Sequence, residues 1–378
     1  MTTRLESYKA PDSELAPGGF KHRSIFDALH SSIVGGKFRA GEKLPTEGEL
    51  VKTFGVSRTT ISRAMRDLQN AGVLERRRGA GSFVVGAPRD ADRAQIGIVI
   101  AMQLGPHSIF GNILQPIEHA ASQRGWQTMI AQIAPTSKWP EQNAEELVAN
   151  LARLGMLGVV FAPGGYSSYD DRFNHAFTEA CTAAGIAVVL LDRDVEPFPQ
   201  RGRYDLVSVD NILAAYTITK HLLEAGCKRI LFALEKKSCP STDGRLAGRD
   251  LAVRDIGLPL DESLTIRFEP QNLHEIVQRV KEIRPEAVMC ECDHTAARLL
   301  KSFHSNEIQV PTDVMLTGFD DNMLATMVTP GITTYHQPVE AIGMEAIRLL
   351  ENRIASPHLP PRHSQIPGEL IVRESTNG

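Results

Sequence analysis

The stretch from Glu42 to Val85, EKLPTEGELVKTFGVSRTTISRAMRDLQNAGVLERRRGAGSFVV, constrains this chain most, because it prescribes two short helices, a tight turn and a hairpin in quick succession. After Pro45 a helical pattern lets Leu50, Val51 and Phe54 share one face. Gly55 breaks it, and Ser57 stands where a helix N-cap belongs, since its hydroxyl can satisfy a free backbone N–H. A second helix then buries Ile61, Met65 and Leu68 and turns Arg58, Thr59, Ser62, Arg63 and Arg66 elsewhere. A short helix, a glycine turn and a basic helix N-terminus predict a helix-turn-helix whose second helix enters the major groove. Val73–Leu74, Arg76–Arg78, the turn Gly79-Ala80-Gly81 and Ser82–Val85 then read as a two-stranded wing with a cationic tip. The expected DNA contacts are Ser57, Arg58, Thr59, Thr60, Ser62, Arg63 and Arg66 on the helix, and Arg76, Arg77, Arg78, Gly79 and Gly81 on the wing. The alternative is a small helical cap with a solvated basic face.

In order, spacing and residue type, LPTEGEL and GVSRTTISRAMRDLQNAGVLERRRGAGSFV closely resemble the winged helix-turn-helix of GntR-type bacterial transcription regulators, over roughly residues 22–86. Two positions depart from that pattern. Gly48 stands where a basic residue is frequent, and Ser62 where an arginine is common, with Arg63 next to it. Charge distribution agrees with the resemblance. Phe20–Gly86 holds twelve Lys/Arg against six Asp/Glu, a net of +6, which leaves −10 for the remainder of a chain whose overall charge is −4. A basic module on an acidic body is the footprint of a protein that meets phosphates at one end only.

No apolar run approaches the roughly 20 residues of a membrane span. The start, MTTRLESYKAPDSELAPGG, has no hydrophobic signal core, so a cytoplasmic protein is expected, without membrane partners. The five cysteines are odd in number and scattered, which fits reduced thiols. Cys290, Cys292 and His294 could be drawn as a metal site, but a fourth ligand at sensible spacing is missing, so neither metal nor cofactor is expected.

Along the chain, residues 1–19 are polar and rich in Pro, Gly and charge, and read as a flexible arm. Residues 20–86 form the DNA-binding domain, opened by a helix capped at Ser24, carrying Ile25, Phe26, Leu29 and Ile33 inward and ending near Gly35-Gly36. Residues 87–95 are a short polar linker. From Ile96 the texture changes to strand-length apolar runs alternating with helical stretches. IGIVIAM, TMIAQI, LGVVFAP and IAVVLLD come with helices at Phe110–Arg124, Glu141–Leu154 and Tyr169–Ala184. A second set starts at LVSVD and runs through RILFAL, LTIRF, EAVMCEC and VMLTGFDD, with helices at Asn211–Ala225, Gly244–Ile256, Leu273–Ile283, Thr295–His304 and Val339–Ile354. The fold class is therefore α/β: a winged head on a two-lobed body (96–377) with parallel sheets covered by helices and a cleft between consecutive lobes.

In such sheets ligands sit beyond the carboxyl ends of the strands. Strand ends supply Gln103, His107, Ser108 and Phe110, then Asp192, Arg193 and Asp194, then Arg245 at a helix start, then Asp293, Asp320 and Asp321. Of these, Phe110, Asp192, Arg193, Arg245, Asp293 and Asp320 are the candidate effector residues. Carboxylates accept from hydroxyls and arginines donate to oxygens, which suits a small polyol. Each has a structural alternative: Asp293, Asp320 and Asp321 could cap helices, and the arginines could be salt-bridged surface residues.

The segments VSVDN–AAYTITKHLLEAGCKRILF, DGRLAGRDLAV, CDHTAARLL, VPTDVMLTGFDDN, TPGITTYHQPVEAIGMEAI and GELIVREST resemble the effector domain of LacI/GalR-type repressors, which is itself similar to periplasmic sugar-binding proteins, over about residues 95–377. The resemblance implies effector contacts at Arg245 and Asp320, and at Asp192 with Arg193 beside it. Cys292 departs where an asparagine is common, and neither Trp126 nor Trp139 stands where an aromatic platform is needed. A GntR-type head on such a body resembles arabinose-repressor-type regulators, and the linker, with Pro88, carries no hinge-helix signature. The expectation is a regulator, most readily a repressor, that dimerises to read a palindromic operator on double-stranded DNA and senses a sugar-like effector. A purine is the alternative ligand. An enzyme is the alternative class, because GntR-type heads also occur on aminotransferase-like bodies. The body lysines fall mostly on helix or surface patterns, and no Gly-rich phosphate loop precedes a helix, so no catalytic residue is assigned.

Overall fold

A computed structural model describes residues 25–26, 29, 38, 42–70, 74–77, 81–84, 94–102, 108–133, 140–165, 168–236 and 239–377. The chain divides into two compact units, Met1–Arg93 and Ala94–Gly378. The arm, most of the linker, Ser24, Ile33 and the wing tip Arg78–Ala80 lie outside the described residues.

In the first unit, Thr46 and Glu49 form a capping box that starts helix α1 (Glu47–Phe54): the Glu49 N–H donates to the Thr46 hydroxyl and the Thr46 N–H to the Glu49 carboxylate. Gly55 ends α1 at φ 62°, a left-handed conformation that glycine adopts without penalty. Ser57 then caps α2 (Arg58–Asn70), its hydroxyl accepting from the Thr60 N–H at 3.3 Å. Ile61, Met65 and Leu68 are buried as their spacing requires, together with Ala64, Leu50 and the helical residues Ile25 and Leu29. Strands β1 (Leu74–Arg77) and β2 (Gly81–Val84) pair antiparallel, with Leu74 opposite Val84 and Arg77 opposite Gly81. Residues 42–44 add a further edge, which the two-stranded reading lacks. The Leu44 N–H donates to the Ser82 carbonyl and the Val84 N–H to that of Glu42, both at 2.9 Å.

In the second unit, β3 (Gln95–Ile100), α3 (Ile109–Gln123), β4 (Gln127–Gln132), α4 (Pro140–Arg153), β5 (Met156–Ala162), α5 (Ser168–Ala183), β6 (Ala187–Leu191) and β7 (Asp205–Val209) build the first lobe. There follow α6 (Asn211–Glu224), β8 (Ile230–Glu235), α7 (Pro240–Asp255), β9 (Thr265–Phe268), α8 (His274–Ile283), β10 (Ala287–Cys290), α9 (Asp293–His304), β11 (Met315–Thr317), α10 (Met323–Met327) and β12 (Thr334–His336), which build the second. The chain ends with α11 (Val339–Ala355), β13 (His363–Ile366) and β14 (Glu369–Ile371).

The sheet orders correct the expectation of two consecutive lobes. The first sheet runs β13-β7-β6-β5-β3-β4 and the second β11-β10-β8-β9, parallel throughout, while β12 and β14 form an antiparallel pair. LVSV, read as the start of the second lobe, is thus the first lobe's β7, and α11 packs against α3 and on β5, β6 and β7 of that lobe. Hydrophobic texture reveals a buried strand but not the sheet it joins. The chain consequently crosses between lobes three times, at 209–211, 336–339 and 366–369. Strand β3 also begins at Gln95, inside the segment read as linker.

The helices meet the sheets through continuous apolar faces. Phe161, Phe173 and Phe177 cluster in the first lobe with ring centroids 4.5 to 6.5 Å apart, and Leu299, Leu316 and Phe303 are fully buried in the second. Burying each such side chain is worth about 1.5–3 kcal/mol. At Gly248 an added Cβ would fall 2.2 Å from the Ile212 carbonyl oxygen, so only glycine lets α7 lie directly on the first turn of α6. That close approach sets the position of Arg245, one turn earlier on α7.

Candidate functional site

On the first unit, Ser57, Arg58, Thr59, Arg63 and Arg66 are exposed along α2, and Thr60 and Ser62 are half-buried. Arg76 projects from β1, and Gly81 opens β2. Arg77 is placed by its backbone in β1 opposite Gly81, whereas Arg78 and Gly79 lie outside the described residues. A groove of about 590 Å³ runs between the N-termini of α1 and α2 and the hairpin, lined by Lys43, Thr46, Glu47, Arg58, Arg76 and Ser82 among others. Glu47 organises its cations, pairing with Arg76 and lying 3.7 Å from Arg58 Nε. No periodicity or spacing in the sequence signals that role for Glu47.

In the second unit the strand ends converge. Asp192, just past β6, sits at φ 72°, and Asp320, past β11, at φ 106°. A side chain held in this region stores strain of order 1–3 kcal/mol unless local bonds offset it, and such residues concentrate at functional sites. Arg193 clamps its neighbour, with Nε and Nη2 donating to Asp192 Oδ2 at 2.9 and 2.8 Å, and its guanidinium lies 5.8 Å from the Phe110 ring centroid. The Ser241 hydroxyl, from the start of α7, reaches the same Asp192 oxygen at 3.4 Å.

Arg245 is held from three sides. Its guanidinium stacks 3.5 Å from the Phe319 ring centroid, Nε donates to Asn211 Oδ1 at 2.8 Å, and Nη1 donates to the Glu291 carbonyl at 2.5 Å. Gln337 Nε2 donates to Asp320 Oδ1 at 2.7 Å. Two cavities join at Asp192 and Ser208: one of about 30 Å³ bordered by Arg193, Phe198, Asn211 and Ser241, another of about 10 Å³ bordered by Phe110, Ile113 and Gln337. Both are far smaller than the pocket a sugar-sized ligand fills.

Burial raises the carboxyl groups here. Asp320 is pushed up to about 6 by burial and by Asp192, against Arg245 and the Gln337 hydrogen bond. Glu291 is pushed to about 7 by burial and Glu235. Asp293 is pushed to about 8 by burial and Asp320, against hydrogen bonds from Thr334 and Asn322.

Asp293 has its carboxylate engaged within the protein. It is fully buried, and both its oxygens are taken, Oδ1 by the Thr334 hydroxyl at 2.6 Å and Oδ2 by the Asn322 N–H at 2.8 Å. It ties α9 to the loop that carries Asp320 and, like Arg245 and Asp320 themselves, does not line either cavity. Three other strand-end residues are likewise occupied: Ser108 caps α3, Asp194 binds the N–H groups of Glu196 and Gly202, and Asp321 pairs with Arg373 and His336. Gln103 and His107 fall outside the described residues. Asn211, Ser241, Phe319 and Gln337 were not anticipated. Asn211 follows β7 and answers the same strand-end rule that finds Asp192; Gln337 follows a three-residue strand too short to show a period.

Among the described residues, no group of three or more His, Cys, Asp or Glu could hold a metal ion, and no helix is long and apolar enough to cross a membrane.

Comparison with known proteins places both units. Residues 21–84 match the model for bacterial regulatory proteins of the gntR family, and residues 219–376 match that for a periplasmic binding protein-like domain. The chain is 26% identical over 372 residues to the arabinose metabolism transcriptional repressor of Geobacillus stearothermophilus, covering 94% of this chain and 97% of that protein. In fold it is similar to the transcriptional regulator CelR in complex with cellobiose (24% identity, 85% of this chain and 91% of that one, TM-score 0.65). It is also similar to a LacI family regulator from Enterococcus faecium with bound ribose (21% identity, 74% and 98% covered, TM-score 0.60).

Proposed function

We infer that this chain, a GntR-type head joined to a periplasmic-binding-protein-like body, is a transcription regulator whose hold on DNA is set by a small effector. It is not an enzyme: relatives matched over most of its length are named as transcriptional repressors or a transcriptional regulator. The observation that carries the effector reading is that Asp192 and Arg193 of one lobe border the small cavities beside the lobe crossings, where Ser241 of the other lobe bonds Asp192 and Asp320 lies close enough to feel Asp192, Arg193 and Arg245.

The effector is a sugar. Hydrogen-bond donors and acceptors alternate around the cleft, Phe110 and Phe198 offer apolar faces, and cellobiose and ribose occupy proteins of the same fold. Asp192 and Asp320 accept from its hydroxyls, and Arg193 and Arg245 donate to its oxygens. Asp293 acts from behind by fixing the Asp320 loop. Closure of the lobes around the sugar shifts the preferred arrangement of the body and so the operator affinity, by a coupling of ~1–3 kcal/mol.

At the other end, Ser57, Arg58, Thr59, Thr60 and Arg63 meet bases and phosphates from α2, with Ser62 and Arg66 on its flanks. Arg76–Arg78, Gly79 and Gly81 bring the wing to the backbone, and the Glu47-bound arginines exchange that carboxylate for phosphate. A homodimer presents two heads to a palindromic operator in the cytoplasm. Leu213 on α6 and Leu251 on α7, 43% and 48% exposed, are among the exposed apolar side chains we propose a second copy covers. The repressor sense follows the names of the relatives.

The test is a thermal-shift screen against pentoses, hexoses, sugar phosphates and purines, with Arg245→Ala and Asp320→Ala alongside. One sugar at a hundred times its dissociation constant should stabilise the protein it binds by ~2.7 kcal/mol, and both variants should lose the shift. A sugar shift that survives both substitutions would place the site elsewhere, and a shift with purines alone would replace the ligand class.

A further inference from the structure

Two of the three lobe crossings are bonded to the residues proposed to touch the effector. At the first crossing, β7 of one lobe leads through Asp210 into α6 of the other, and Asn211 is the first residue of that helix. It is 7% exposed, its Nδ2 donates back to the Val209 carbonyl at 3.3 Å, and its Oδ1 takes the Arg245 Nε–H. At the second crossing, β12 leads through Gln337 into α11 of the first lobe. Gln337 is 3% exposed and donates to Asp320. Arg245 and Asp320 thus have one partner each on the chain segments about which the lobes must turn.

We propose that Asn211 and Gln337 are latch residues, which hold the two crossings to Arg245 and Asp320 so that an effector engaging those two side chains acts on the hinge directly. The proposal rests on the effector reading above and adds to it the route by which the site is read out. Oxygens of a polyol compete with Asn211 for the guanidinium donors and its hydroxyls compete with the Gln337 amide for the carboxylate. Each exchange loosens one crossing from the second lobe while the ligand bridges the cleft. The remaining hold on Arg245, from the Phe319 ring and the Glu291 carbonyl, keeps the guanidinium in place while its Nε partner changes. Asn211 and Gln337 act through Arg245 and Asp320, so their loss should diminish the operator response even at saturating effector.

Hydrogen exchange of the ligand-free, full-length protein tests the latch without any effector, because local opening is read as amide exchange. Gln337→Glu is isosteric and sets a second carboxylate against Asp320. At pH 8 it should speed exchange of residues 336–342 at least fivefold, with β3, β5, β8 and β10 unchanged. Asn211→Leu should do the same for residues 209–214, whereas Asn211→Asp, which keeps an acceptor for Arg245, should stay within twofold of the parent. Exchange at the crossings within twofold of the parent in both Gln337→Glu and Asn211→Leu would overturn the proposal, as would acceleration by Asn211→Asp equal to that of Asn211→Leu.

A second arm measures L-arabinose, D-ribose and cellobiose for binding and for operator release on the same proteins. In Gln337→Glu the sugar's own affinity is measured first, and at saturating sugar the change in operator affinity should fall to under a third of the parent's; an undiminished operator response would count against the latch. If none of the three sugars binds the parent, the sugar reading fails while the exchange data still decide the latch.

Discussion

Asp293 shows what a single residue contributes behind a site. Its carboxyl is raised to about 8 by burial and by Asp320, and Glu291 and Asp320 are raised to about 7 and 6. A carboxyl whose folded value exceeds its unfolded one binds its proton more tightly when folded. Its stabilising contribution is therefore complete below about pH 4 and is lost as pH rises through 6 to 8. The melting temperature of the parent should accordingly fall between pH 5.5 and pH 8, and Asp293→Asn should flatten that fall. A variant with the parent's full slope would remove Asp293 as its cause. On α2, exposed Arg63 and Arg66 have different expected signatures. Loss of a base contact at Arg63→Ala should cost about 1–3 kcal/mol on the operator and relax specificity at one position. Loss of a phosphate contact at Arg66→Ala should weaken all sequences alike and lower the salt slope by about 0.9. Titrations of operator and random duplexes at several salt concentrations separate the two. At this scale the strand-end rule finds side chains that the fold brings near one another, as at Asp192, Arg245 and Asp320. The sequence was silent on Glu47 and on the partners of Asp293, since which way a buried carboxylate turns depends on groups such as Thr334 that lie far along the chain.

Elements were the most legible level. Capping by Thr46 and Ser57, the stop at Gly55 and the buried Ile61, Met65 and Leu68 all follow from local rules that need no tertiary information. The third edge at residues 42–44 did not, because it arises from pairing with Ser82 and Val84 some forty residues on. The same limit explains the body. Apolar runs identified nearly every strand, yet the membership of LVSV in the first sheet and the return of α11 and β13 to it are pairing facts. Short β12, β13 and β14 escaped because three or four residues carry too little period, and HSQI is not an apolar run. Two element-level changes have defined costs. Thr46→Ala removes the capping box and should lower the stability of the head by ~1 kcal/mol in denaturant unfolding. Gly248→Ala drives a methyl into the Ile212 carbonyl region, and should cost the body about 1–3 kcal/mol by parting α6 from α7.

For the whole molecule, a basic head and an acidic body divide the work between DNA and effector. Three crossings link the two lobes of the body, and the cavities beside Asp192 are small. Dimerisation is the remaining requirement of the account. Leu251→Asp should convert dimer to monomer in sedimentation and cost operator binding while sugar binding persists. The central claim is tested most directly by one anisotropy titration. A duplex recovered by in vitro selection on the full-length protein is titrated with that protein, in the absence and presence of the sugar that shifts its melting temperature. The account predicts an inverted-repeat duplex whose affinity falls steeply with salt and changes about 5–150-fold when the sugar is added. Sugar binding with unchanged operator affinity would contradict it, because the body would then bind its ligand without instructing the head.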